Sequence, residues 1–125
     1  MTMMLPDRVA LVTGGGQGLG EAICWRLAHE GCSVVVADLN EDTANQTAAA
    51  INAYLQNEGD TQRRAIAAGV DVTKEEQVAA LVDRTIAEFG RIDILISNAG
   101  ILISGEIDTF PAEKWRAVIN VNLFG

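Results

Sequence analysis

One segment, residues 9–20, constrains the fold of this chain more than any other. An apolar, β-branched run ends in a cluster of glycines, and apolar residues then recur at helical spacing at Leu19, Ile23 and Leu27. This order predicts a buried strand, a glycine turn and an amphipathic helix. Such a turn leaves backbone N–H groups at a helix N-terminus free to bind a phosphate, and glycine permits the close approach.

The spacing of the glycines distinguishes between nucleotide-binding motifs. Neither G-x-G-x-x-G nor G-x-x-x-x-G-K-[ST] fits any register of this turn. The residues Thr13-Gly14-x-x-x-Gly18-x-Gly20 resemble the T-G-x-x-x-G-x-G loop of the short-chain dehydrogenase/reductase family. Because isolated glycine-rich turns are also ordinary turn chemistry, the interpretation depends on the position of this one between a strand and a helix.

Strand and helix patterns alternate along the chain. Strands are predicted at residues 8–13, 33–37, 64–70 and 92–97, and helices at 19–30, 41 to about 57, from a start near 73 to 89, and 111–123. This alternation predicts an α/β fold with a parallel sheet and helices on both faces. The family resemblance implies a Rossmann-type doubly wound sheet with strand order 3-2-1-4.

Local signals predict where the helices begin and which face they bury. Asn40 is a plausible N-cap of the second helix, and Thr73-Lys74-Glu75-Glu76 has the form of a capping box. Pro111 suits the first position of the last helix. One apolar stripe along the third helix predicts a core-facing side: Val78, Leu81, Val82, Ile86 and Phe89.

Composition restricts the class of protein. A chain of 125 residues with 49% hydrophobic residues can build one core, so residues 1–125 are expected to form a single domain. No apolar run is long enough for a membrane span or a secretory signal, and a net charge of −8 disfavours nucleic acid and anionic membranes. Cys24 and Cys32 lack metal-type spacing, so we expect reduced thiols in a cytoplasmic protein without a metal site.

Further polar residues follow the predicted strands. Asp38 ends the second strand, where a carboxylate can accept hydrogen bonds from ribose hydroxyls, although an Asp that merely begins a turn fits equally well. Asp71-Val72 resembles the family's pair beside the adenine ring, and Asp71 alternatively marks a helix entry. Asn98-Ala99-Gly100 resembles the family's N-N-A-G motif with Ser97 in place of its first Asn. We expect NAD rather than NADP as cofactor, because Asp38 would face a 2′-phosphate as a like charge and no nearby cation compensates. The resemblance implies these binding residues: Gly14, Gln17, Gly18, Leu19, Gly20, Asp38, Leu39, Asp71, Val72, Asn98, Ala99 and Gly100.

Two asparagines, Asn120 and Asn122, interrupt the last apolar helical pattern although Asn is a poor helix former. The family resemblance assigns Asn122 a catalytic role, in which a distorted helix lets it hold a water of the proton relay. Helix C-capping is the structural alternative for both residues.

The family's general acid/base is a Tyr-x-x-x-Lys pair downstream of this Asn. The one tyrosine here, Tyr54, is followed four residues later by Glu58. We therefore expect the amino-terminal, NAD-binding half of an oxidoreductase that interconverts secondary alcohols and ketones, inactive by itself. A non-catalytic dinucleotide-binding regulatory module is the alternative. Within the family, residues 47–64 look somewhat like polyol- or sugar-phosphate dehydrogenases, and the parent is expected to take a small-molecule substrate as a homodimer or homotetramer.

Overall fold

The computed structural model describes residues 2–125 as one parallel sheet with flanking helices. Its sheet has the order β3-β2-β1-β4, so the predicted α/β fold and strand order are confirmed. No helix in the described part of the chain has the length and hydropathy needed to cross a membrane. The elements are β1 (Val9–Thr13), α1 (Gly18–His29), β2 (Ser33–Asp38), α2 (Glu41–Asn57), β3 (Ala65–Gly69), α3 (Glu75–Phe89), β4 (Ile94–Ile96), α4 (Ala112–Ile119) and a π-helical segment (Asn120–Phe124).

The central strands are buried because helices cover both faces of the sheet. Every residue of β2 is buried, as its continuous apolar run predicts for a strand of a parallel sheet. Successive side chains point to opposite faces, so Val34 and Val36 pack with α1 and α2. On the other face, Val35 and Ala37 pack with Leu81 of α3.

The helix starts agree with the sequence in one case and differ in two. Asn40 is the N-cap of α2, and its side-chain oxygen accepts a hydrogen bond from the Thr43 N–H at 3.2 Å. The capping-box prediction was wrong, because Lys74 is the N-cap of α3. Thr73 instead precedes the N-cap, and its hydroxyl and N–H donate charge-assisted hydrogen bonds to Asp71 Oδ1 at 2.6 and 3.0 Å. Pro111 is the N-cap of α4, one residue before the predicted position.

The predicted apolar stripe of α3 is only partly buried. Leu81 is 6% exposed, whereas Val78, Val82 and Ile86 are between 37% and 44% exposed. Leu95, on β4, is 60% exposed. The reason is positional: β4 is the last strand on that side of the sheet, and α4 contains no buried residue that would show it packing there. Residues 2–125 therefore present an apolar surface on α3 and β4.

Two neighbouring substitutions on α3 should separate core packing from this exposed surface. Leu81→Ala is expected to lower the free energy of unfolding by about 2–5 kcal/mol, because it leaves a cavity beneath the helix. Val82→Lys should leave that free energy nearly unchanged and reduce self-association of the 125-residue chain. Urea unfolding and static light scattering check the pair. Equal destabilisation by both variants would contradict this description of α3.

Candidate functional site

A cleft of about 510 Å³ lies at the carboxyl ends of the strands. The carboxyl ends of parallel strands meet at one edge of a sheet, so loops that are distant in the sequence come together there. Every residue predicted to bind the cofactor lines this cleft. The structure adds residues that the sequence did not indicate: Asn40, Val70, Ile101 and Val121.

The glycines of the β1–α1 turn are required for different reasons. Gly14 has a φ of 66°, and a Cβ there would lie 2.8 Å from the side-chain nitrogen of Asn98. A Cβ on Gly20 would overlap the carbonyl oxygen of Gly14. Gly18 has a φ of 56°, but a Cβ there would meet no other part of the protein within 4 Å. Packing within the protein explains why Gly14 and Gly20 are glycines. Gly18 instead borders the open cleft.

The N-terminal residues of α1 line this cleft. Gln17 is the N-cap residue and makes no side-chain capping hydrogen bond. The N–H groups of the first turn have no acceptor within the helix, and the helix dipole adds partial positive charge there. Gly18, Leu19 and Gly20 therefore provide a site that favours an anionic ligand such as a phosphate.

Asp38 joins two loops at the rim of the cleft. Its Oδ2 accepts a hydrogen bond from the Gly16 N–H at 2.9 Å, and its Oδ1 accepts one from the Asn40 N–H at 3.0 Å. Asp38 therefore begins a turn, which was the alternative interpretation of this residue, and its side chain also lines the cleft. Because each carboxylate oxygen has a further lone pair, these bonds leave Asp38 able to accept ligand hydroxyls.

A second carboxylate, that of Asp71, adds negative charge to the same cleft. The hydroxyl and the N–H of Thr73 both donate to its Oδ1, at 2.6 and 3.0 Å. These hydrogen bonds lower the pKa of Asp71, so the group is ionised at neutral pH. Val72 follows it along the cleft wall.

Asn98 and Thr13 fix the junction between β1 and the loop after β4. The Asn98 side-chain nitrogen donates to the carbonyl oxygens of Thr13 and Gly14 at 3.1 and 3.2 Å. The backbone N–H groups of Asn98 and Ala99 each donate to the Thr13 hydroxyl at 3.1 Å. Thr13 belongs to the glycine motif but was not among the predicted site residues. Its position as the last residue of the strand could have indicated a place in the site.

Asn122 lies in the π-helical segment, the kind of distortion that the resemblance implied. Its amide pairs with the backbone of Ile101: Oδ1 accepts from the N–H at 2.8 Å, and Nδ2 donates to the carbonyl at 2.9 Å. It borders an adjacent cavity of about 240 Å³ rather than the main cleft. Since the side chain reaches another loop, helix C-capping does not describe Asn122. Its part in catalysis stays a prediction.

The cysteines take no part in the chemistry of the cleft. Both are free and buried. Burial raises the pKa of Cys24 to about 12, so its thiol is not ionised at neutral pH and is a poor nucleophile. This agrees with the prediction of small buried thiols.

Comparison with known proteins identifies the family. The family model for short chain dehydrogenases matches residues 8–125, which is nearly the whole chain. The chain therefore belongs to the short-chain dehydrogenase/reductase family.

Three known proteins illustrate the similarity. The chain is 42% identical to an uncharacterized oxidoreductase, YuxG, of Bacillus subtilis, over 94% of this chain and 16% of that protein. It is 40% identical to the cis-4-hydroxycyclohexanecarboxylate dehydrogenase of Sinomonas cyclohexanicum, over 95% of this chain and 45% of the enzyme. The crystal structure of a 3-ketoacyl-(acyl-carrier-protein) reductase from Brucella melitensis, complexed with NADH, superposes with a TM-score of 0.83 and 32% identity. That match covers 95% of this chain and 46% of the reductase, so this chain spans less than half the length of each protein.

Substitutions of Gly18 and Gly20 should have different effects. Gly20→Ala is expected to disrupt the packing of α1 against the Gly14 carbonyl and destabilise the fold. Gly18→Ala meets no protein atom and should cost only the roughly 1–2 kcal/mol of a left-handed backbone. Thermal unfolding followed by circular dichroism measures both. A Gly20→Ala variant as stable as the unsubstituted chain would contradict the packing described here.

Proposed function

We propose that this chain is the NAD-binding part of an oxidoreductase that interconverts a secondary alcohol and a ketone by hydride transfer. One observation carries the proposal: the residues matching the family's separate cofactor motifs line a single cleft at the carboxyl edge of the sheet. A cleft at this edge is the usual place for a dinucleotide in a doubly wound sheet.

The donors and acceptors of the cleft fit the parts of a dinucleotide. The first-turn amides of α1, at Gly18 to Gly20, would hold the pyrophosphate. Asp38 would accept hydrogen bonds from the adenosine ribose hydroxyls. Asp71 and Val72 would lie beside the adenine ring, as the family resemblance implies. When bound, the nicotinamide supplies the hydride acceptor, and the protein supplies its position.

The charge of the cleft favours NAD over NADP. A 2′-phosphate on the adenosine ribose would place a second anion beside the Asp38 carboxylate. The two residues that follow Asp38 carry no charge. Leu39 is 75% exposed and lines the cleft, and the backbone N–H of Asn40 donates to Asp38. Among the cleft-lining residues of the described chain there is no Lys or Arg to offset that repulsion.

The acid/base group is proposed to lie outside residues 1–125. Tyr54 and His29 are the titratable aromatic residues, and their tilted rings have centroids 4.5 Å apart. His29 ends α1, whose other end forms the cleft. With a rise of about 1.5 Å per residue, that helix separates this pair from the cleft by roughly 16 Å. Neither residue can exchange a proton with a substrate there, whereas Asn122 would position a water near the reaction.

Substrate, assembly and location are further parts of the proposal. None of the relatives named above is a polyol- or sugar-phosphate dehydrogenase, so that narrower assignment has no support. The similarity to a cis-4-hydroxycyclohexanecarboxylate dehydrogenase supports a secondary alcohol as the substrate class. Two buried, free cysteines suit the reducing cytoplasm. We propose a homodimer or homotetramer for the longer protein.

The cofactor preference can be measured by titrating the protein with NAD and NADP. Like-charge repulsion of about 1–3 kcal/mol predicts at least roughly tenfold tighter binding of NAD. Asp38→Asn removes the charge and should reduce this ratio, although it also weakens the turn that Asp38 forms. Tighter binding of NADP by the unsubstituted protein would contradict the role assigned to Asp38.

Activity should require residues beyond this chain. The full-length protein that contains these residues is expected to oxidise secondary alcohols and to reduce NAD. The absorbance of the NADH formed measures this activity. Residues 1–125 alone should bind NAD weakly and show no turnover, because general acid–base assistance worth roughly 10²–10⁴ in rate is missing. Turnover by the purified 125-residue chain would refute this division. Binding without turnover by the full-length protein would favour a regulatory module.

A further inference from the structure

Gly16 is held more tightly than its place in the motif suggests. In T-G-x-x-x-G-x-G it occupies an unspecified position, yet α2 and the end of β2 enclose it. A Cβ on Gly16 would lie 3.0 Å from both the Ala44 backbone nitrogen and Asp38 Oδ2, and closer still to the Thr43 hydroxyl. Gly16 therefore faces the first turn of α2 with no room for a side chain.

Hydrogen bonds hold Gly16 on both sides. Its N–H donates to Asp38 Oδ2 at 2.9 Å, and its carbonyl oxygen accepts the Thr47 hydroxyl at 3.4 Å. Thr47 is a buried polar residue of α2 with 3% exposure. It was not among the predicted site residues, and it does not line the cleft.

The direction of the Thr47 hydroxyl is informative. A threonine within a helix commonly donates to the carbonyl four residues before it. Thr85 of α3 does this, donating to Leu81 O at 2.8 Å. Thr47 donates across to the β1–α1 turn instead, so its hydroxyl links α2 to the loop that forms the phosphate-facing end of the cleft.

We propose that Thr47 is a positioning residue for dinucleotide binding. Its hydroxyl and the Asp38 carboxylate hold the Gly16 peptide from opposite sides, and this fixes the backbone that leads into the first turn of α1. The amides of Gly18 to Gly20 then need no reordering when a phosphate binds, which strengthens binding without a direct contact. This inference rests on the proposed function.

The test compares Thr47→Val, which keeps the shape and loses the donor, with Thr47→Ser, which keeps the donor. Thr85→Val is the matched control, because it removes an equally buried threonine hydroxyl that bonds within its own helix. For each variant of the full-length protein, hydrogen exchange of the amides of residues 16–20 is measured without ligand. NAD affinity is measured by calorimetry. The kcat and the KM for NAD are measured with a secondary alcohol that the unsubstituted full-length protein oxidises.

Because the Thr47 hydrogen bond is present with and without ligand, only the disorder that its loss allows in the free loop weakens binding. We expect Thr47→Val to bind NAD more weakly by up to roughly fivefold, the equivalent of one hydrogen bond. Exchange at residues 16–20 should become faster, and KM for NAD should rise with kcat unchanged. Thr47→Ser and Thr85→Val should behave like the unsubstituted protein in all three measurements.

Several results would overturn the positioning role. They are unchanged affinity in Thr47→Val, an equal loss in Thr85→Val, and faster exchange without a change in affinity. If Thr47→Val does not fold, Thr47→Ala replaces it, and failure of both beside a folded Thr47→Ser would make the hydroxyl a folding requirement instead. Failure of the unsubstituted protein to bind either dinucleotide is a separate outcome that overturns the proposed function, and the positioning role with it.

Discussion

The close contact between Gly20 and the carbonyl oxygen of Gly14 is the constraint on which the rest of the site depends. Because no side chain separates them, α1 can begin directly behind β1 and bring its N-terminus to the carboxyl edge of the sheet. Any Cβ at Gly20 would push the helix away from the strand and turn its first amides from the cleft. The phosphate-facing end of the site is thus a consequence of backbone packing, and the side chains of the turn contribute little to it.

The shape of the turn is maintained by three different parts of the fold. Asn98, after β4, donates to the Gly14 carbonyl, and the Gly15 N–H donates to Ala37 O at the end of β2. Asp38 and Thr47 hold Gly16. Each of these contacts joins residues that lie far apart in the chain or on different elements. A loop held in this way loses little conformational freedom on binding. Two of the residues that hold it, Ala37 and Thr47, do not line the cleft.

The two faces of the sheet differ in how completely they are covered. On one face α1 and α2 bury Ile51 and Leu55 against the strands, and this face also carries the contacts to the glycine turn. On the other face α3 buries Leu81 but leaves Val82 and Ile86 partly exposed beside β4. The face that carries the glycine turn is therefore well packed within residues 2–125. The surface toward β4 and the π-helical segment is the less covered one, and Asn122 lies on that side.

Local chemistry in the sequence determined the elements and their order along the chain, and the family resemblance supplied twelve of the residues that line the cleft. Between residues 9 and 57 the secondary structure could be predicted from the sequence. The signals there depend only on neighbouring residues: the glycine spacing, a continuous apolar strand and the Asn40 cap. Tertiary structure alone decided the roles within the cleft. Asn98 turns its amide nitrogen to the Thr13 and Gly14 carbonyls, and the Thr47 hydroxyl of α2 reaches the Gly16 carbonyl in the β1–α1 turn. These choices depend on which acceptor lies within hydrogen-bond distance after folding, and spacing along the chain does not contain that distance.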